Sequence, residues 1–104
     1  MSGSDQDRVK LDLNNPVFQN NLFKLQKNEQ VVILGTLRKI SQMRWEQVYA
    51  DKGLKWEAIM SRTGPHGSRL YTLRSGKSFR AVAFREQAWM RILSLHPDHN
   101  SAYN

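Results

Sequence analysis

Leu70-Tyr71-Thr72-Leu73-Arg74-Ser75-Gly76-Lys77-Ser78-Phe79-Arg80-Ala81-Val82-Ala83-Phe84 is the stretch that decides how this chain folds. Two short runs rich in aromatic and branched side chains flank Ser75-Gly76-Lys77-Ser78. Small turn-forming residues between runs of that kind predict a β-hairpin. The pattern continues on both sides. Lys55 to Met60 and Trp89 to Leu95 read as further strands, with turns at Thr63-Gly64-Pro65-His66-Gly67 and at Glu86-Gln87, so the second half predicts an antiparallel meander.

The first half has another period. Val9, Leu11 and Leu13 alternate with Lys10 and Asp12, as in a short half-buried strand. Asn15 is placed to cap a helix that opens with Pro16, where a missing N–H costs nothing, and Phe18, Leu22 and Leu25 recur at helical spacing to about Gln26. A longer helix is expected from Glu29 to Tyr49 or Ala50, with Leu34, Leu37, Trp45 and Val48 in one stripe through Ser41. Gly35 weakens it, Ser41 is a candidate break that would leave Trp45 to Ala50 as a separate turn, and Asp51-Lys52-Gly53 stops it.

The expected fold class is therefore α+β: a short N-terminal strand and two helices packed on one face of an antiparallel four- to five-stranded sheet. The other face is left to solvent and arginines. Residues 1–7, small and polar, are expected to form a disordered tail, and residues 8–104 a single domain.

The formal net charge of +7 is unevenly spread. Between Met60 and Arg91 lie Arg62, Arg69, Arg74, Lys77, Arg80, Arg85 and Arg91 against a single acid, Glu86. Positive charge concentrated on one part of a sheet points to an anionic partner, with nucleic acid first and an acidic protein second. The absence of cysteine excludes a disulfide framework, a thiolate zinc site and a cysteine nucleophile. No apolar run approaches the roughly 20 residues that span a bilayer, and no signal-peptide core is present, so a cytoplasmic location is expected.

Beyond the basic stretch come His96, Asp98, His99 and Tyr103. Cleaving RNA without a metal requires a proton acceptor for the 2′-OH, a donor for the leaving 5′-oxygen, and positive charge for the phosphorane. Histidine suits the proton transfers because it titrates near neutrality, and arginine suits the charge because its planar fork meets two phosphate oxygens. The hairpin register bears on this. If Ser75 to Ser78 form an even-length turn, Arg74 pairs with Phe79 and Arg80 with Leu73, on opposite faces. A bulge or an odd-length connection brings both arginines to one face, as a shared phosphate site requires unless Arg80 acts alone at its centre.

Histidines on either side of Pro97-Asp98 suggest a metal site only weakly, since no third strong ligand is near and Pro97 disfavours a helix. Trp45, Trp56 and Trp89 read as core or edge anchors.

Three segments resemble the RelE/ParE toxin superfamily of bacterial toxin–antitoxin systems. They are Gly53-Leu54-Lys55-Trp56-Glu57, the run Leu70 to Arg74 followed by Phe79-Arg80-Ala81-Val82, and Ile92-Leu93-Ser94-Leu95-His96-Pro97-Asp98-His99 through Tyr103. The order of elements from Val9 onward is also similar. The resemblance implies a toxin and, for the RelE, YoeB and HigB branches, an endoribonuclease that cleaves messenger RNA in the ribosomal A site. It further implies inhibition by an antitoxin that wraps the toxin with helices or an added strand.

Carried over by position, Arg74 and Arg80 match the basic residues that contact the scissile phosphate. His96 and His99 lie where members place Lys, Arg or His, Tyr103 matches a terminal tyrosine, and Glu57 falls near a glutamate used in the YoeB branch. The basic cluster of the early sheet is represented by Lys55 and Arg62 alone, and Pro97 departs from the pattern.

The resulting expectation is a metal-independent endoribonuclease toxin without a cofactor. Arg80, His96, His99 and Tyr103 are its catalytic candidates, Glu57 is a candidate general base, and Lys55, Arg62, Arg69, Arg74 and Lys77 are placed to bind substrate. The expected partners are a cognate antitoxin, mRNA and the ribosome, with no membrane association and a monomeric free state. The alternatives are a ParE-like toxin acting by protein contact with DNA gyrase, and a nucleic-acid-binding module without catalysis.

Overall fold

The computed structural model describes residues 7–97. Strand β1 (Lys10–Asp12) is followed by helices α1 (Pro16–Lys24), α2 (Lys27–Ser41) and α3 (Trp45–Ala50), then by strands β2 (Glu57–Thr63), β3 (Arg69–Arg74), β4 (Arg80–Glu86) and β5 (Trp89–His96). The five strands form one sheet in the order β1-β5-β4-β3-β2. The α+β class holds, with two differences. The sheet is mixed, because β1 runs parallel to β5 with Lys10 opposite Trp89 and Asp12 opposite Arg91. The long second helix is divided at Ser41, the candidate break, into α2 and a short α3.

Local chemistry explains the helix boundaries. The Asn15 side chain accepts hydrogen bonds from the Val17 and Phe18 N–H groups, and Pro16 occupies the first helical position. At α2 the Glu29 carboxylate accepts from the Gln26 N–H, half of a capping box. The buried stripe of α2 is Ile33, Leu37 and Ile40, whereas Leu34 is 51% exposed. Of the expected stripe, Leu37, Trp45 and Val48 are buried, while Ile33 takes the core position expected of Leu34. The break after Ser41 resets the helical phase, so α3 presents Trp45 and Val48 to the core independently of α2.

The main core lies between these helices and one face of the sheet, where Phe18, Ile33, Leu37, Ile40, Trp45 and Val48 meet Leu73, Phe79, Ala81, Ala83, Met90, Ile92 and Leu95. Trp45 is anchored at its polar end, since its indole Nε1 donates to Ala88 O at 2.9 Å. Trp56 stacks on Tyr71 with ring centroids 4.6 Å apart and meets Trp45 edge-on at 5.4 Å.

The opposite sheet face differs from the expected bare surface. Ile59, Leu70, Val82 and Phe84 form a second, smaller apolar cluster there. The loop around Pro65–Gly67 folds toward it, and Gly64 lies so close to Leu70 that an added Cβ would overlap that side chain.

Candidate nucleic-acid interface

The β3–β4 register puts Leu73 opposite Ala81 and Arg74 opposite Arg80. The connection between the paired arginines is Ser75 to Phe79, closed by a hydrogen bond from Ser75 N to Phe79 O at 2.9 Å, with Gly76 at φ 84°. An odd-length connection brings Arg74 and Arg80 to the same side. On β4 the next strand pairs Arg80 with His96. Arg74, Arg80 and His96 therefore form a row across three adjacent strands, about 10 Å wide at ordinary strand spacing. Alternation along β4 puts this row on the face of Val82 and Phe84, away from the helices.

Burial sharpens the electrostatics. Arg80 is 5% exposed, and its Nη1 donates to the carbonyl of Phe79 at 3.3 Å. Among the described residues no carboxylate forms an ion pair with Arg74 or Arg80, and Arg74 Nε is buried without a hydrogen-bond partner. The Arg74 N–H donates away from β4, to Leu54 O at 2.6 Å. Arg74 and Arg80 thus form a non-hydrogen-bonded pair, the type in which cross-strand side chains come closest. A buried arginine directly opposite a half-buried one, with no described carboxylate ion-paired to either, makes a site prepared for an anion.

His96 closes β5 and is half-buried, so it belongs to the sheet and not to a terminal tail. Its Nε2 lies 2.8 Å from Ser94 Oγ. Both line a hollow of about 500 Å³ whose floor includes Leu70 and Val82, with Arg62 and Pro65 on one side and Asn15 and Val17 of the α1 start on the other. Glu57 sits opposite Thr72, which pairs with Val82, which pairs with Ser94, so Glu57 is one row removed from the arginines on the same face. Lys55 lies two residues before β2 in a left-handed conformation, φ 49°, directly after the residue that accepts from Arg74.

Other basic groups do not join the row. Alternation along β3 places Arg69 on the side opposite Arg74, and its Nη1 approaches Ile59 O at 3.5 Å and Met60 Sδ at 3.4 Å. Lys77 occupies the tip of the β3–β4 turn beside Asn28 and Glu29 of α2. Arg85 lies over the Trp45 ring at 4.5 Å and donates to Tyr49 Oη at 2.7 Å. Arg91 is paired with Asp12 and, at 2.7 Å, with Glu86, which ties β1 to the neck of the β4–β5 hairpin. These two pairs raise the Arg91 pKa, Glu86 contributing first. Asp98, His99 and Tyr103 lie outside the described residues.

No protein-family model matches the sequence, and no curated protein matches it. Among solved structures the chain is similar to a chain of the archaeal RelE–RelB complex from Pyrococcus horikoshii, with a TM-score of 0.56 and 21% identity over 88% of this chain and 94% of that one. The fold is RelE-like. The resemblance read from Leu70 to Val82 thus holds at the level of architecture. Within this RelE-like fold the row of Arg74, Arg80 and His96 lies on the sheet face that the helices leave uncovered.

Sequence reasoning passed over Ser94, although its i, i+2 spacing from His96 in a strand is itself a signal that both share a face. It also passed over the contribution of α1, whose Asn15 and Val17 reach the hollow. No local signal marks that approach, because it depends on how α1 packs against β5.

Proposed function

We propose that this protein is the toxin of a toxin–antitoxin pair, a metal-independent endoribonuclease that cleaves messenger RNA at the ribosome in the cytoplasm. The observation that carries this reading is the pairing of the buried Arg80 with the half-buried Arg74, neither ion-paired to a carboxylate among the described residues, with His96 beside them on the sheet face that the helices leave uncovered. The RelE-like architecture supports it. Among the described residues no helix is long and apolar enough to cross a membrane.

In the chemistry proposed, the 2′-oxygen of the RNA attacks the adjacent phosphorus while its proton passes to a protein base. The P–O5′ bond breaks, the 5′-oxygen takes a proton, and the products are a 2′,3′-cyclic phosphate and a 5′-hydroxyl. Arg80 is assigned the charge that builds on the phosphorane oxygens, where a fixed cation in a nearly dry site acts most strongly. Arg74 positions the phosphate. His96, oriented by Ser94, is assigned one proton transfer, with Glu57 as the candidate acceptor for the other and with His99 and Tyr103 as further candidates from the sequence. Lys55 and Arg62 flank the row and draw the RNA backbone in.

An antitoxin is the proposed partner. The outer sides of α1 and α2 leave Phe23 74%, Val31 67% and Leu34 51% exposed, an apolar strip that a helix of such a partner would cover.

The test is a translation reaction with ribosomes, mRNA and the purified protein, followed by mapping of new RNA ends. New ends at codon-phased positions that disappear with Arg80→Ala support the reading. Intact RNA accompanied by inhibited DNA gyrase would replace it with the gyrase-directed alternative.

A further inference from the structure

The uncovered sheet face carries a second hollow. A space of about 400 Å³ lies between Pro65 and His66 of the β2–β3 loop and Phe84, Glu86 and Arg91 of the sheet. Pro65 also lines the first hollow, so the two share a wall. Arg80 and Phe84 stand on the same face of β4 four residues apart, roughly 13 Å along the strand, a distance that a short run of unstacked nucleotides covers.

His66 is a group that the chemistry proposed above does not use. It is exposed, and among the described residues its ring has no hydrogen-bond or ion-pair partner. Its backbone is left-handed, with φ 57° and ψ 29°, directly before Gly67 at φ 76°. Side-chained residues adopt that conformation rarely, and glycine would hold the same turn more easily. The loop nevertheless carries a planar ring at this point, on the rim of a hollow with an aromatic floor. On the far side the Arg91 guanidinium is fixed by Asp12 and Glu86. A cavity lined by a phenyl ring, an imidazole, a fixed planar donor and a carboxylate matches the faces and edge groups of an unpaired nucleobase.

We propose that this second hollow seats one base of the RNA strand whose scissile phosphate rests on Arg74 and Arg80, with His66 and Phe84 flanking the base. The proposal rests on the ribonuclease reading and deepens it, because it makes His66 a determinant of which sequence is cut.

The same mapping of RNA ends tests it, with wild type, Arg80→Ala, His66→Asn and His66→Phe compared on one mRNA mixture. Asn tolerates the left-handed backbone and removes the ring, whereas Phe keeps a stacking surface. Wild-type cuts are expected to share a base preference at one fixed offset from the break. In His66→Asn that preference is lost and cutting falls about tenfold, the scale of one base stack, while His66→Phe retains most of both. The thermal midpoint of His66→Asn is expected to match wild type. Cuts that depend on Arg80 but keep their rate and base profile in His66→Asn overturn this subsite alone. A lowered midpoint in His66→Asn that accounts for the lost cutting also overturns it. Absence of any new ends with wild type removes the ribonuclease reading and the subsite together.

Discussion

Arg74 and Arg80 face one another across β3 and β4 as a directly opposed, non-hydrogen-bonded pair, and no described carboxylate forms an ion pair with either. Like charges in that relation oppose folding by a few tenths of a kcal/mol to about 1 kcal/mol. The fold tolerates this because the surrounding ladder and the two apolar clusters fix the register. A bound phosphate would reverse the sign of the interaction.

Replacing one member of the pair should therefore separate stability from function. Arg74→Leu is expected to keep or raise the thermal midpoint, by up to about 5 °C for relief of about 1 kcal/mol in a chain of this size. Inorganic phosphate is expected to raise the wild-type midpoint, and Arg74→Leu should abolish that rise. Thermal scans with and without phosphate read both effects. A phosphate response that survives in Arg74→Leu and in Arg80→Met would place the anion elsewhere.

Gly64→Ala should destabilise the loop that overhangs the uncovered face. The new methyl overlaps Leu70 and comes within 2.7 Å of Ser68 Oγ, so the expected cost is about 1–3 kcal/mol. Urea denaturation monitored by tryptophan fluorescence measures it, and an unchanged midpoint would mean that the loop does not rest on Leu70.

Ser94→Ala removes the hydroxyl 2.8 Å from His96 Nε2. The imidazole loses a group that orients it, while the strand pairing of Val82 with Ser94 is a backbone matter and survives. RNA cutting is expected to fall about tenfold with a displaced pH profile and an unchanged thermal midpoint. Equal activity and an equal pH profile would show that His96 is not held through Ser94.

Acid should weaken the fold through two carboxylates. The Asn14 N–H first, opposed by burial and helped by the Arg91 guanidinium, holds the Asp12 pKa below its ordinary value. Lys39, at 2.9 Å, and the Leu54 N–H do the same for Asp51. Both folded-state values are depressed, so their stabilisation is fully present above the ordinary carboxylate range near pH 4 and is lost as pH falls through the depressed values. Each contribution is small because both side chains meet water and are screened. Thermal midpoints between pH 6 and pH 3 should fall less steeply in Asp12→Asn and Asp51→Asn than in wild type, and parallel curves would contradict the assignment.

The hairpin at Ser75 to Ser78, the Asn15–Pro16 helix start and the switch from helices to strands near Leu54 were legible because each depends on neighbours within a few residues. Backbone propensity, capping and turn chemistry operate over that range. The position of the site was legible to the same extent, since Arg74 and Arg80 flank one turn. Their common side was not, because it depends on whether Phe79 joins the strand or the connection. That choice is made by the Ser75–Phe79 hydrogen bond and by Phe79 packing under the helices.

What the sequence determined by itself was therefore the order and type of elements and the segment that bears the charge. Tertiary structure decided which charges, among the described residues, remain without a carboxylate partner. Arg91 finds Asp12 from a position 79 residues away, Arg85 finds Tyr49 and Trp45, and Arg74 with Arg80 is left against an uncovered face. It also made β1 parallel to β5 and set Ile33 rather than Leu34 against the core. The physical reason is common to all of these: pairing register, helix rotation and ion-pair choice are fixed by contacts between distant parts of the chain, which no local window of sequence contains.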